Sequence, residues 1–361
     1  MKVIIAGGGT GGHLFPAVAL GEELRRERPE TEVLHVGTTN GFEAQWLPSS
    51  GLKYELFPVR GLRGKGLVTR TRAVLEFAAA LRRARGLERR FGPRLVVSAG
   101  GYASAPMAVA GLMARVPLLL MEQNTQPGLS NRLLWRFARR ICTGFVGAEL
   151  GKEEPRVVVT GNPVRLRFIP SKRLEIRSPV HILVLGGSTG AHRLNIGAVE
   201  AFKSLAKDVI KFDVVHQTGQ PDADLIKREY ESLGEGARVA PFIDDMASAL
   251  DRADLIVARG GAMTVSEIAI AGRAAIFVPY PFHRDRQQEH NARVIERLGG
   301  AIIINDDEKL ASNLQKVLTE LLHNPVRIVE MGRKARQAGR PDAAARIAQV
   351  CFEVMEAGRA A

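Results

Sequence analysis

The chain has 361 residues, more than one hydrophobic core usually takes and enough for two domains. Its 45% hydrophobic and 25% charged residues exclude disordered and fibrous classes. Lys and Arg number 51 against 38 Asp and Glu, a net charge of +13 that is concentrated in residues 1–165, where 24 basic side chains meet 13 acidic ones and no Asp occurs. That half calls for an anionic partner: a phosphate-bearing ligand, nucleic acid or an anionic membrane face.

The chain opens on a strand-like run, Val3–Ala6, followed by the glycine loop Gly7–His13 and a helical pattern over Pro16–Arg28. Strands at Val33–Val36, Leu95–Ser98 and Val116–Met121 follow, with a helix over Pro106–Ala114. Short apolar strands punctuated by glycine and followed by amphipathic helices indicate βαβ units and parallel sheets. A polar, Pro-bearing stretch from Arg165 to Pro179 interrupts the pattern, which restarts at His181–Leu185 with a second glycine loop, Gly186–Ala191. Further strands are expected at Phe212–Thr218, Leu255–Ala258 and Ala275–Pro279. The closing stretch, Pro341 to Ala361, spaces Ile347, Val350, Cys351 and Val354 along one helix face and is expected to pack back on the first domain. Met1-Lys2 precedes only four apolar residues, too few for a signal-peptide core, and no apolar run approaches the roughly 18 residues of a spanning helix. A chain that is soluble or bound to a membrane surface is expected. Cys142 and Cys351 lack metal or redox spacing and read as buried thiols of a reduced protein.

A glycine loop between strand and helix lets backbone N–H groups approach a phosphate beside the positive end of the helix. Gly7, Gly9 and Gly12 fit G-x-G-x-x-G, yet neither half carries the acid that a dinucleotide fold places after its second strand. Nicotinamide binding is therefore disfavoured. His13 stands at a helix start, where the dipole keeps an imidazole neutral and able to accept a proton, although a histidine lining a turn would look the same. Ala262-Met263-Thr264-Val265-Ser266-Glu267 forms another strand-to-helix junction. Thr264 and Glu267 fit a capping box, but N–H groups there would equally hold a diphosphate while Glu267 accepts from ribose hydroxyls. Gln287 and Gln288 suit sugar hydroxyls because an amide both donates and accepts. A metal site drawn from His283, Asp285 and His290 is disfavoured by the interleaved arginines, so neither metal nor other cofactor is expected. Gly100–Ser104 and Met121–Asn124 end apolar strands, where ligands of doubly wound sheets gather.

Nine motifs in order resemble the MurG family of cell-wall glycosyltransferases: GGGTGGH (7–13), GLRGKG (61–66), GGYASAP (100–106), EQN (122–124), GNPVR (161–165), GGSTGA (186–191), FIDDM (242–246), GAMTVSE (261–267) and DRQQ (285–288). The resemblance implies an α/β chain of GT-B architecture, two Rossmann-like parallel-sheet domains facing across a cleft. Its N-terminal, acceptor- and membrane-facing domain would span 1–163, with helix 341–361 packed back on it, and its UDP-sugar domain 164–340. It implies inverting transfer of N-acetylglucosamine from UDP-GlcNAc to the muramoyl 4-hydroxyl of undecaprenyl-diphospho-MurNAc-pentapeptide. By position, Ser188 and Thr264 would touch the diphosphate, with the helix start from Ala262 through Met263, Val265 and Ser266. Ile243 would hold the uracil by its backbone, Glu267 the ribose and Gln287 the sugar, while Thr10, Gly11, Gly12, Asn124 and Arg165 complete the site. His13 is the first candidate for the catalytic base and Glu122 the second. Relatives commonly have His where Met121 stands, Ser at Gly260 and Gln at Thr189.

Nine Lys and Arg between Arg63 and Arg90, interleaved with apolar residues, and a second segment, Arg132–Arg140 with Leu133, Leu134 and Trp135, form basic amphipathic stretches. Such stretches fit an anionic inner-membrane surface, and a peripheral position on its cytoplasmic face is expected. A nucleic-acid-binding protein is the rival from another class, weakened by 6% aromatics and the lack of any recognisable module. A UDP-sugar epimerase, or a transferase to another lipid, is the rival among enzymes.

Overall fold

The computed structural model describes residues 1–59, 67–148, 154–164, 176, 178–187, 190–207, 211–283 and 285–358, leaving aside the side chains of 67–74 and 235. The chain divides into two compact units, Met1–Leu166 with Asp342–Ala361, and Arg167–Pro341.

Unit 1 runs β1 (Lys2–Ala6), α1 (Gly11–Glu27), β2 (Glu32–Thr38), α2 (Glu43–Trp46), β3 (Tyr54–Phe57), α3 (Leu67–Phe91), β4 (Leu95–Ser98), α4 (Ala105–Met113), β5 (Leu118–Glu122), α5 (Leu129–Leu134), β6 (Arg140–Thr143) and β7 (Val157–Val159). Its sheet has the order β3-β2-β1-β4-β5-β6-β7 with parallel pairing throughout. Unit 2 runs β8 (Val180–Leu185), α6 (His192–Leu205), β9 (Phe212–Gln217), α7 (Ala223–Tyr230), β10 (Ala237–Ala240), α8 (Met246–Arg252), β11 (Leu255–Ala258), α9 (Ala262–Ala271), β12 (Ala274–Phe277), α10 (Gln287–Glu296), β13 (Ala301–Ile303), α11 (Leu310–His323) and α12 (Pro325–Arg336). Its sheet, also parallel, has the order β10-β9-β8-β11-β12-β13. The last helix, α13 (Ala343–Ala357), belongs to unit 1.

The central strands are buried along their whole length because helices cover both faces. In unit 1, α1 and α13 close one face: Ile347, Cys351 and Met355 join Val3, Ile5, Leu20, Val97 and Cys142 in one core. α3 and α4 close the other with Ala80, Ala84, Met107 and Ala108. Arg28 lies 4.0 Å over the Phe352 ring and pairs with Glu356, and Arg94 donates to Met355 O, so α13 is tied by charge as well as by burial. Burial pushes the Cys142 thiol up to about 12 and Cys351 well above its ordinary range, as befits unreactive core residues. The sequence pattern omits β3, β6, β7, β10 and β13, all short and at or near a sheet edge, where apolar runs are brief.

His35 is buried on β2 against Gly21 of α1, with neither ring nitrogen partnered. Burial pushes its pKa down to about 4, and that of His216 on β9 to about 3. The unfolded chain takes up these protons near pH 6.5 and the folded chain does not, so stability is full above that pH and declines as pH falls toward 4. At about 1.4 kcal/mol per pH unit of difference, His35 alone accounts for about 3 kcal/mol. His35→Leu is expected to raise the urea midpoint at pH 5 and to flatten its fall between pH 7 and pH 4. An unchanged slope would contradict this account.

Candidate active site

In each sheet the strand order reverses beside the first strand, between β1 and β4 and between β8 and β11. Ligands of open α/β sheets gather at the carboxyl ends of strands at such a switch point. Those of the sequence-derived residues that are described lie at these edges, in two groups, one per unit.

In unit 1 the group is built on the loops after β1, β4 and β5. Thr10 caps α1 through its backbone, its carbonyl accepting from His13 N at 3.2 Å, and Gly11 and Gly12 open the first turn with N–H groups that the helix leaves without partners. The half-buried His13 ring lies against Gly100 and Gly101, where a Cβ on Gly100 would stand 2.9 Å from Cδ2, and its Nδ1 is 3.4 Å from Thr10 Oγ1. Desolvation pushes the imidazole down to about 4, against the opposing charge of Glu43. The ring is therefore neutral at pH 7 and has an acceptor nitrogen.

Glu122 is buried at the end of β5, and its carboxylate is fully engaged. Oε1 accepts from Asn124 N and Nδ2 at 3.0 and 3.2 Å, and Oε2 accepts from Gly128 N and Asn131 Nδ2 at 2.9 Å each. Burial pushes its pKa up, opposed by these four donors. This geometry suits a clamp on the 123–128 loop and presents Asn124, which is half-buried, at the rim. Next to it, Gln123 donates to Ala99 O at 3.0 Å, and Asn162 Nδ2 donates to Gln123 O at 2.9 Å. Met121 points into the core under α13.

In unit 2 the loops after β8, β9, β10, β11 and β12 form the second group. α9 begins at Ala262 with Gly261 as its N-cap, so Thr264 lies inside the first turn and the capping box with Glu267 does not form. Val265 is core and its N–H is spent on Gly261 O; Ser266 Oγ donates to Ala262 O at 2.9 Å. The N–H groups of Ala262, Met263 and Thr264 are the ones the helix start leaves for a ligand. Glu267 and Gln287 are half-buried, Gln287 as the first residue of α10. Ile243 N donates to Gln217 Oε1 at 3.0 Å, which holds the backbone in the place the resemblance gives to uracil. Ser188, Arg165 and the 61–66 motif lie outside the described residues.

Several supporting residues escaped the sequence reading. His216 is bonded to Tyr230 Oη and to Asn195 Oδ1 at 2.9 and 3.1 Å, and Asn195 Nδ2 donates to Asp222 and to Thr218 O. This chain braces the second glycine loop from below, where a Cβ on Gly186 would lie 3.0 Å from Asn195 Oδ1. Asp306 binds Arg259 and Arg193, both at 2.8 Å, at the start of the β11 loop. Gly260 packs on the Gln288 carbonyl, which accounts for glycine where relatives have serine. They share no sequence signal, since Asn195, Arg193 and Tyr230 stand on helices well away from any strand end.

Two family models match, the N-terminal domain of glycosyltransferase family 28 over 3–143 and its C-terminal domain over 181–347. A Syntrophotalea carbinolica protein named as the UDP-N-acetylglucosamine–N-acetylmuramyl-(pentapeptide) pyrophosphoryl-undecaprenol N-acetylglucosamine transferase is 40% identical over 355 residues, 98% of this chain and 99% of its own. The chain belongs to the MurG family. A Myxococcus xanthus relative of the same name is 39% identical over 98% of this chain and 93% of its own. The crystal structure of Acinetobacter baumannii MurG superposes with a TM-score of 0.78 at 29% identity, covering 98% of this chain and 99% of that one. The two Rossmann-like units thus make a GT-B chain. A Listeria monocytogenes protein described as a putative UDP-N-acetylglucosamine 2-epimerase shares the fold at 16% identity, with a TM-score of 0.67 over 96% of this chain and 94% of its own.

The second glycine loop yields a direct test. Gly190 has φ +81° and a Cβ there would stand 2.8 Å from Thr218 O. A side chain in that conformation costs about 1–2 kcal/mol before the clash is counted. Gly190→Ala is expected to weaken UDP-sugar binding at least tenfold by calorimetry. Binding within twofold of the unaltered protein would place the donor elsewhere.

Proposed function

We propose that the chain transfers N-acetylglucosamine from UDP-GlcNAc to the muramoyl 4-hydroxyl of undecaprenyl-diphospho-MurNAc-pentapeptide with inversion, acting as a peripheral protein on the cytoplasmic face of the membrane. The observation that carries this reading is 40% identity along 98% of the chain with a relative named for that transfer. The epimerase alternative rests on likeness of fold alone.

Unit 2 binds the donor. The α9 N-terminus and the second glycine loop, with Ser188, face the diphosphate; Glu267 takes the ribose hydroxyls, Ile243 the uracil and Gln287 the sugar. Unit 1 contributes Thr10, Gly11, Gly12, Asn124 and Arg165. The acceptor 4-hydroxyl oxygen attacks the anomeric carbon from the face opposite UDP. Its proton passes to His13 as the bond forms, and the C–O bond to the diphosphate breaks with its electron pair leaving on UDP. Helix dipole and N–H donors meet that departing charge in place of a cation. Glu122 then serves by holding Asn124 and its loop.

Membrane contact is supported by apolar side chains turned outward among arginines. Leu75 on α3 is 71% exposed, and Leu133 and Phe137 are 67% and 63% exposed beside Arg132 and Arg136, whereas Leu134 faces the core. Leu81, Arg82, Arg85, Arg89 and Met113 line a groove of about 460 Å³ on α3 and α4. Among the described residues no helix is long and apolar enough to cross a membrane.

The reading is tested by following labelled N-acetylglucosamine into an organic-soluble product with and without the lipid-linked muramoyl pentapeptide. Transfer should require the acceptor; His13→Ala should lower kcat by about 10²–10⁴, and Glu267→Ala should raise the donor KM at least tenfold. Donor consumed without acceptor would favour epimerisation. For the membrane contact, replacing Arg82, Arg85 and Arg89 by Ala removes about 1 kcal/mol each. Partition onto phosphatidylglycerol vesicles should fall about a hundredfold, while donor affinity stays unchanged.

A further inference from the structure

Three glycines of unit 1 make room for one buried carboxylate. Glu43, the first residue of α2, is fully buried, and a Cβ at Gly8, Gly37 or Gly41 would overlap its side chain. Gly9 N–H donates to Oε1 and Oε2 at 3.0 and 2.8 Å, and Oε1 also accepts from Thr38 N and Thr38 Oγ1, both at 2.8 Å. A carboxylate of the chain itself thus fills part of the anion seat that a glycine loop offers, and the Gly9 N–H is already spent.

We propose that Glu43 is a positioning residue for the transfer reaction: an internal anion that fixes the Gly8–Gly9 turn and through it aims His13, leaving the N–H groups of Gly11 and Gly12 for substrate. This rests on the reaction and the role of His13 given above. Gly9 is joined to His13 by Thr10 and the first turn of α1, and His13 N donates back to Thr10 O at 3.2 Å. Freed of this anchor, the turn keeps the Gly7 N–H bond to Val36 O at 3.0 Å and the buried Leu14 but loses its hold at Gly9, and a displacement of about 1 Å at a reacting group costs on the order of a hundredfold in rate.

The charge acts on the ring as well. Among the described residues, Glu43 is the charged group whose field raises the His13 pKa, while burial lowers it. Thr10, Gly100, Gly101 and Gln123 around the ring are uncharged, and Tyr102 over Gly9 is a phenol. The imidazolium formed when His13 takes the acceptor proton is therefore stabilised by Glu43.

The test compares Glu43→Gln and Glu43→Ala with the unaltered enzyme in donor binding, acceptor-dependent kcat and the titration of His13 by ¹⁵N-histidine NMR. UDP-GlcNAc affinity should change less than kcat, because of the residues assigned to the donor only Thr10, Gly11 and Gly12 lie on the turn that Glu43 holds. The kcat should fall about 10- to 100-fold, His13 should titrate at lower pH in Glu43→Gln, and added formate should restore Glu43→Ala at least fivefold by refilling the seat. Either a kcat within twofold of the unaltered enzyme or an unmoved His13 titration in Glu43→Gln overturns the proposal. If Glu43→Ala does not fold, Thr38→Val, which removes one donor to the carboxylate, must lower kcat in the same direction. An unaltered enzyme that moves no sugar would sink the assigned reaction but leave the NMR comparison readable, so the two failures are separable.

Discussion

Parallel strands whose order reverses beside the first strand leave one edge of each sheet where successive loops diverge and helix N-termini point outward. Everything chemical in this chain follows from that constraint. Crossover helices cover both faces, so the strands are largely apolar and the polar side chains within β2 and β9, His35 and His216, are buried. The polar residues of the candidate site gather at the carboxyl edge, and the N–H groups that open α1, α6 and α9 emerge there. The same edge recurs in both units because the same geometry was built twice, and the proposed diphosphate site uses it in unit 2.

Backbone donors at a loop are useful only if the loop keeps its shape, and here buried acids supply the rigidity. Glu43 gathers donors from the first glycine loop and the end of β2; Glu122 does so for the loop after β5. Asp306 draws Arg193 and Arg259 together under the β11 loop, and Asp222 closes the chain of bonds beneath the second glycine loop. Losing one partner of such a buried charge costs far more than the pair contributes net, because the remaining group is stranded without water. Unit 1 has few acidic residues for its many arginines, and two of them are spent inside it as fixtures. Its surface is left correspondingly positive, which suits the proposed contact with an anionic leaflet.

The fold class was legible because glycine-punctuated apolar strands followed by amphipathic helices carry a period and a direction. Strands β3, β7 and β13 were not, since three or four residues at a sheet edge need no long apolar run. His13, Glu267 and Gln287 stand out as site candidates because each lies in the opening turns of the helix that follows a strand and its recognisable loop. Glu43 was not, although the same rule applied to it. It follows β2 by five residues, but the expected ribose acid would sit at the strand end itself, so the strand was scored as lacking one. The glycines at 37 and 41 were the available signal: they are small where a buried carboxylate needs space. Glu122 illustrates the reverse error of resolution, for sequence marks a carboxylate at a strand end without telling whether its oxygens face substrate or four donors of its own loop.

A neutral imidazole pushed down to about 4 is a weak base in the unliganded chain. That weakness is a property of burial without a compensating anion beyond Glu43. The acceptor of the proposed reaction carries a diphosphate, and negative charge brought near an imidazole raises its pKa. Linkage makes the relation mutual: whatever charge strengthens the base is itself held more tightly when the base is protonated. His13 would thus remain unprotonated and inert toward solvent until substrates are in place, and gain basicity as they arrive. Glu43 sets the starting point of that rise, its charge favouring the imidazolium while Gly9 and Thr38 hold its oxygens in place.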